Sequence, residues 1–385
     1  INLLSMRVIY YSQTFFSDCD FPLIRNLQNK CIDVYYYMPI NHFLRRQGII
    51  DIKNLKSKIG IYKASHFEEL DEYKHYIDLE KIYFINIPKG TRKIYQYIIW
   101  MMVFLHMFCL KANVFHFTWQ LSGLEKILYY LPIKKTMTVH DPLSHSSVTD
   151  EREEINRKKA FSMASSYVLL SRALLLDFCE KYHIQESQIH LSHLGEFDHL
   201  RFIASNNTFV EKPFISFLGQ ITSSKGIEYL CEAMVKVHES FPDVKLLIAG
   251  RGNMYFDYSP YENKDYIVLE NKFLSISEIA SILKNTLFVV LPYKDATQSG
   301  VVQTAFSCNT PLIVTNVGGL PEAVTDNVTG LVVPPNDSSA LATAIERLLS
   351  NKSLLERFKS NIDTIWRPTM GWNSISEDFI TVWQK

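Results

Sequence analysis

Three stretches in the second half of the chain place glycine beside hydroxyl, amide or basic residues where an apolar run gives way to a helical pattern. The first, Phe217-Leu218-Gly219-Gln220-Ile221-Thr222-Ser223-Ser224-Lys225-Gly226, sets Lys225 at the first turn of the helix that follows. Free backbone N–H groups, the positive end of a helix dipole and an ammonium together form an anion site. The same residues also suit an ordinary strand-to-helix turn with an exposed lysine, and their spacing is not that of a P-loop. The second stretch ends a strand at Pro292 and runs through a polar loop holding Thr297 and Gln298. It then opens a helix at Ser299-Gly300-Val301. Gly300 lets backbone approach a phosphate closely, and Ser299 either caps the helix or donates to that phosphate. In the third, Thr315 to Glu322, Pro321 suits a first helical position and Glu322 favours the dipole, so neither needs a ligand. Three such turns on one sheet edge point to a diphosphate guest.

Short β-branched or aromatic runs alternate with helical stretches on both sides of these turns. The expected strands of the first half are 7–11, 33–37, 83–87, 114–117, 136–139, 167–170 and 188–192, with helices at 151–163 and 172–182 among those between them. In the second half, strands are expected at 214–218, 244–249, 267–269, 287–291, 312–315 and 331–333, and helices at 224–239, 275–284, 299–308 and 337–350. Ile227, Leu230, Met234 and Val237 make the apolar stripe of a helix lying on a sheet. This alternation predicts an α/β protein with two doubly wound, Rossmann-like domains, divided near 194–212 where the pattern lapses. In such sheets ligands bind beyond the strands' carboxyl ends, here in a cleft between domains.

Composition narrows the function. Hydrophobic residues are 47% and charged residues 21%, enough to bury full cores. Forty basic residues balance forty acidic ones, which excludes the electrostatic footprint of a dedicated nucleic-acid binder. The six cysteines are scattered without a C-x-x-C, which excludes a disulfide scaffold and a cysteine zinc site. The opening residues Ile-Asn-Leu-Leu carry no signal-peptide pattern, so a cytoplasmic protein is expected. Ile94 to Leu110 is apolar apart mainly from Gln96 and His106, and lysines 93 and 111 flank it. It is short of the roughly 20 residues of a membrane span and reads as a helix buried between a sheet and its neighbours. A segment dipping into a membrane, with snorkelling lysines, is the alternative. Asp18-Cys19-Asp20 spells a D-x-D but reads as helix capping and solvation, and the histidines at 183, 190, 193 and 199 lack metal spacing.

The run Phe217–Leu230, then Leu246-Leu247-Ile248-Ala249-Gly250, then Ser299–Gly330 with its ending Asp326-Asn327-Val328-Thr329-Gly330-Leu331, resembles the donor domain of glycosyltransferase family 4. The first half is more loosely similar, through Val114-Phe115-His116 and Thr138-Val139-His140-Asp141-Pro142. The family's glycine-rich loop after the first strand is replaced by Ser12 to Asp18. The resemblance implies a GT-B fold, with residues 1–195 as an acceptor-side domain joined by a C-terminal helix 366–385. Residues 210–365 would bind the nucleotide sugar. It implies a retaining hexosyltransferase of polysaccharide biosynthesis, cytoplasmic or peripheral at the inner face of the membrane. The acceptor would be a cell-surface glycan or a lipid-linked one, with membrane contact through the N-terminal domain. Neither metal nor other cofactor is expected.

Carried over by position, Lys225 matches the family's diphosphate-binding lysine, and Ser299, Gly300 and Val301 match the helix start whose amides hold phosphates. Gly219 lies in the donor turn, Gly250 matches the turn near base and ribose, and His140 a cleft-facing histidine near donor sugar and acceptor. Two departures stand out. Gln220 replaces the family's arginine, and its paired glutamates, eight apart, fall at Ala296 and Thr304. Thr297 and Gln298 would take over the sugar contact, while Thr304 reaches one ribose hydroxyl at best. The alternative reading is a catalytically degenerate nucleotide-sugar-binding or partner subunit without the glutamates.

Overall fold

The computed structural model describes residues 6–40, 59–140, 151–170, 172, 174–201, 213–296 and 299–385. It divides into two compact units, one of residues 1–195 with 372–385 and one of residues 196–371.

The first unit is built on an eight-stranded sheet among the described residues. Its strands are β1 (Arg7–Tyr11), β2 (Asp33–Pro39), β3 (Gly60–Lys63), β4 (Ile82–Asn86), β5 (Val114–Phe117), β6 (Lys134–Val139), β7 (Ser166–Leu169) and β8 (Ile189–Leu191). The order is β3-β4-β2-β1-β5-β6-β7-β8, parallel except for β3 against β4. Val8 to Tyr11 is buried throughout, because a parallel sheet with both faces covered must be apolar on both. The order reverses between β1 and β5, and there Ser12 Oγ and Thr118 Oγ1 meet at 2.6 Å. Thr14–Phe16 forms a short 3₁₀ turn where the resemblance would place glycines.

Three expectations need correction in this unit. The apolar helix Lys93–Cys109 is not enclosed: Ile99, Trp100, Val103 and Met107 face the core, while the opposite side is exposed. Asp20 is neither solvated nor a cap. It is 2% exposed and accepts hydrogen bonds from Tyr10 and Tyr36, both at 2.8 Å. Burial, opposed by hydroxyls of Ser12, Tyr10 and Tyr36, raises its pKa to about 7. The returning C-terminal segment starts at Trp372 rather than 366. Trp366 packs edge-on against Phe306 inside the second unit. Helix Trp372–Gln384 instead buries Trp383, whose indole N–H donates to His116 Nδ1 at 3.1 Å in the middle of the first sheet.

The second unit carries β9 (Phe214–Leu218), β10 (Lys245–Gly250), β11 (Ile267–Asn271), β12 (Val289–Leu291), β13 (Leu312–Thr315) and β14 (Gly330–Val333). They pair in parallel in the order β11-β10-β9-β12-β13-β14. Numbered within the unit this is 3-2-1-4-5-6, the doubly wound order of dinucleotide-binding sheets. Helix Ile227–Ser240 buries Ile227, Leu230, Met234 and Val237 completely, so the expected stripe is its sheet-facing side.

Candidate functional site

Strand order alone decides which turns meet. Because β9, β12 and β13 are neighbours, the three glycine-containing turns stand side by side at the carboxyl edge, with the reversal point between β9 and β12. This is where open parallel sheets bind their ligands.

The turns are joined by main chain. Gly226 has φ +62°, a left-handed conformation, and a Cβ there would collide with the carbonyl oxygen of Pro292. The amide of Lys294 donates to Ser224 O at 2.8 Å. On the other side of β9, Gly250 has φ +153°, and a Cβ there would drive into the carbonyl of Gly219. Gly250 is thus demanded by its contact with the Gly219 carbonyl, and Gly219 by its own φ of +142°, before any ligand is considered. Gln220 follows on the exposed surface.

Lys225 lies half-buried at this edge, its Nζ 3.6 Å from the centroid of the Tyr293 ring. It makes no ion pair among the described residues. Burial lowers its pKa from the ordinary lysine value, with Asp295 acting in the opposite sense. The other lysine of the turns, Lys294, is already committed, with Nζ 2.7 Å from Glu228 Oε1. Glu228 also accepts from the hydroxyl of Tyr255. Of the two lysines in these turns, Lys225 is therefore the one without a carboxylate partner among the described residues.

Helix Gly300–Ser307 begins beside that cation's platform. Ser299 is buried at its N-terminus but does not cap it. Its Oγ is 3.4 Å from the Tyr293 hydroxyl instead. The first amides of a helix, here those of Gly300 and Val301, have no intrahelical acceptor. The far end is held by charge. Arg201 Nε donates to Ser307 O at 2.7 Å, and the Arg367 guanidinium to Phe306 O at 3.1 Å. Both arginines pair with the buried Glu196. Cations at a helix C-terminus complement its dipole.

Thr304 sits one turn into the helix, and its hydroxyl donates to Gly300 O at 2.6 Å. That back-bond occupies the hydroxyl's one donor. Ala296 is described and carries no polar group, while Thr297 and Gln298 lie outside the described residues.

His140 belongs to the first unit, just past the end of β6. Its ring stacks on Phe16 at 4.0 Å, and its Nε2 has no hydrogen-bond partner among the described residues. Burial pushes its pKa down to about 4, so the imidazole is neutral at pH 7. At the carboxyl edge of the same sheet a cavity of about 660 Å³ is lined by Phe15, Lys89, Trp119, Gln120, Glu125 and Glu153, among others.

Sequence reasoning missed Tyr293, Glu196, Arg201 and Arg367. Tyr293 is buried, and Thr315 Oγ1 donates to its carbonyl at 2.6 Å, tying the third turn to the second. The position directly after Pro292 in the second turn was the available signal for it.

Residues 198–364 match the family model described as glycosyl transferases group 1. An uncharacterized glycosyltransferase of Methanocaldococcus jannaschii is 26% identical over 252 residues, covering 61% of this chain and 64% of the relative. The capsular polysaccharide biosynthesis glycosyltransferase CapM of Staphylococcus aureus is 25% identical over 256 residues, 62% of this chain and 60% of CapM. The chain thus aligns with less than two thirds of the length of either relative. Among solved structures, Anabaena HepE in complex with UDP superposes with a TM-score of 0.64 at 13% identity, covering 98% of this chain and 100% of that one. At that identity the likeness is one of fold. The two Rossmann-like parallel sheets are those of GT-B glycosyltransferases.

Proposed function

We propose that this chain is a retaining, nucleotide-sugar-dependent hexosyltransferase acting on a glycan or lipid-linked acceptor in polysaccharide biosynthesis. One observation carries the reading: Lys225, without a carboxylate partner among the described residues, lies over the Tyr293 ring, whose hydroxyl reaches Ser299 at the start of helix Gly300–Ser307, by the reversal point of the second sheet. That arrangement suits a leaving diphosphate, whose charge grows as the sugar departs. The complex of HepE with UDP and the name of CapM support the donor class and the pathway type.

In this reading the acceptor oxygen bonds the anomeric carbon as the bond from that carbon to the phosphate oxygen breaks. The departing phosphate takes the acceptor's proton, so no protein nucleophile takes part. Lys225 and the helix amides balance the diphosphate without a metal ion. Gly219 and Gly250 shape the donor turn, Ser299 closes its floor, and Gln220, Thr297 and Gln298 contact the sugar. Neutral His140 orients a hydroxyl through its Nε2, which has no partner among the described residues. Trp119 and Phe15 offer ring faces to an acceptor sugar, with Gln120, Glu125 and Glu153 for its hydroxyls.

One observation favours a second reading, a donor-binding subunit that does not transfer. Thr304 spends its hydroxyl on Gly300 O, and Ala296 offers nothing in its place. A thermal-shift screen over nucleotide sugars, followed by donor hydrolysis without acceptor, separates the two. Stabilisation with turnover supports the transferase, stabilisation alone the subunit, and neither refutes both. Turnover is expected to survive excess chelator, and complete loss restored by Mn²⁺ would overturn the metal-free balance.

A further inference from the structure

The helix Lys93–Cys109 is apolar apart from Lys93, Gln96 and His106, yet the first unit covers one side of it. Large apolar residues are exposed singly on most proteins, but here they are concentrated. Of the fourteen strongly exposed ones among the described residues, eight belong to this helix. Ile94, Ile98, Met101, Met102, Leu105 and Phe108 form a continuous strip, each 47–61% exposed, with Tyr95 and Tyr97 at its start. Tyr130, 72% exposed, stands at the end of the turn Gly123–Tyr130 that packs against the helix.

The charges exposed at the two ends of the strip are basic among the described residues. Arg92 and Lys93 are exposed at its start and Lys111 just beyond its end, and the helix itself contains no carboxylate. Two copies of the strip placed together, in either direction, would bring cationic ends against cationic ends. An anionic surface complements both ends at once. At about 1.5 Å per residue the helix is roughly 25 Å long, and no described helix is long and apolar enough to cross a membrane. Tyrosines at the margins of an apolar strip with flanking cations suit the boundary between headgroups and acyl chains.

We propose that this face of helix Lys93–Cys109 lies in the surface of a bilayer of anionic phospholipid, seating the first unit on it. The cavity of that unit shares Lys89 and Gln96 with the start of the helix, so its mouth opens at the level of the headgroups. An acceptor held there would then be a sugar or phosphosugar on a lipid already in the membrane. That last step rests on the transferase reading, whereas the docking does not.

The test is flotation of the full chain with vesicles, which needs no donor or acceptor and therefore fails independently of that reading. Partition into vesicles of equal phosphatidylcholine and phosphatidylglycerol is expected to exceed partition into phosphatidylcholine alone by at least tenfold. The triple variant Ile98→Ser, Met102→Ser, Leu105→Ser is expected to reduce binding to the anionic vesicles at least tenfold, with unchanged circular dichroism. Arg92→Glu with Lys93→Glu, which leaves the apolar strip intact, is expected to reduce it as well. Equal binding to both vesicles, or a folded triple variant that binds like the wild type, overturns the proposal. So does absence of vesicle binding, with or without a concentration-dependent dimer that the triple variant dissolves.

Discussion

Replacing Lys225 by methionine keeps most of its volume and removes its charge. In the free protein the ammonium has the Tyr293 ring at 3.6 Å and no ion pair among the described residues. A cation over an aromatic face is worth about 0.5–1 kcal/mol at exposed sites. Burial of the charge, the main cause of its lowered pKa, works against that gain. The substitution is therefore expected to change stability by no more than about 1 kcal/mol, a shift of roughly 2–4 °C in Tm for a unit the size of residues 196–371. With a diphosphate bound the balance changes. The lost interaction is then a hydrogen bond to a charged group, about 1.5–3 kcal/mol, or roughly 10- to 150-fold in Kd. Calorimetric titration with nucleoside diphosphates measures this directly, and turnover should fall at least tenfold. The pH dependence supplies a second readout. A lysine whose pKa lies below the ordinary 10.5 loses its proton earlier, so wild-type affinity should decline as pH rises toward that lowered value. Lys225→Met should show no such decline. A folded Lys225→Met within twofold of wild type, with a parallel pH profile, would remove this ammonium from the site.

Thr304→Glu gives up the 2.6 Å bond to Gly300 O but restores a carboxylate one turn past the helix start. Nucleoside diphosphate binding should tighten about tenfold, near 1.4 kcal/mol, and unchanged calorimetry would mean that the ribose sits elsewhere. Gly226→Ala must hold a left-handed φ at a cost of about 1–2 kcal/mol and also displace the Pro292 carbonyl. Urea unfolding should show a loss beyond that figure, and a wild-type midpoint would refute the join between the turns. His116, buried against Thr136, Thr138 and Trp383, has its pKa pushed by burial to about 3 from 6.5. Its depressed value means that the unfolded chain takes the proton first. Stability is full above pH 6.5 and is lost as pH falls, by on the order of 3 kcal/mol at pH 4. His116→Gln should flatten part of that slope in urea titrations between pH 7 and 4, and an unaltered slope would contradict the assignment.

The second unit was the more legible of the two because its signals are local. Buried parallel strands read as continuous apolar runs, Gly226 and Gly250 mark backbone approaches at strand ends, and the stripe from Ile227 to Val237 gives the helix face. What the sequence withheld depends on partners far along the chain. Tyr293 becomes a platform only because the sheet order brings β12 beside β9. Glu196 meets Arg367 across 171 positions. The D-x-D misled because its spacing is local, whereas Tyr10 and Tyr36, which enclose Asp20, are register partners on β1 and β2. Edge strand β3, four half-buried residues paired with one neighbour, carries too little pattern to detect. The helix at 93–109 was identifiable, but a largely apolar composition does not say which side the protein covers.

The turn that carries Lys225 is fastened to the turns after β10 and β12 by carbonyls, amides and hydrogen atoms where side chains would otherwise stand. A fastening of that kind is indifferent to the chemical identity of the neighbouring loop residues. Gln220 and Ala296 occupy this rim, one exposed and one half-exposed, and neither makes a join that holds the turns together. Charge and hydrogen-bonding capacity can therefore be exchanged at these two positions while the frame keeps its shape. If the transferase reading holds, a small combinatorial library at 220 and 296 is accordingly expected to shift donor preference, and a library with unchanged preference would place the sugar elsewhere.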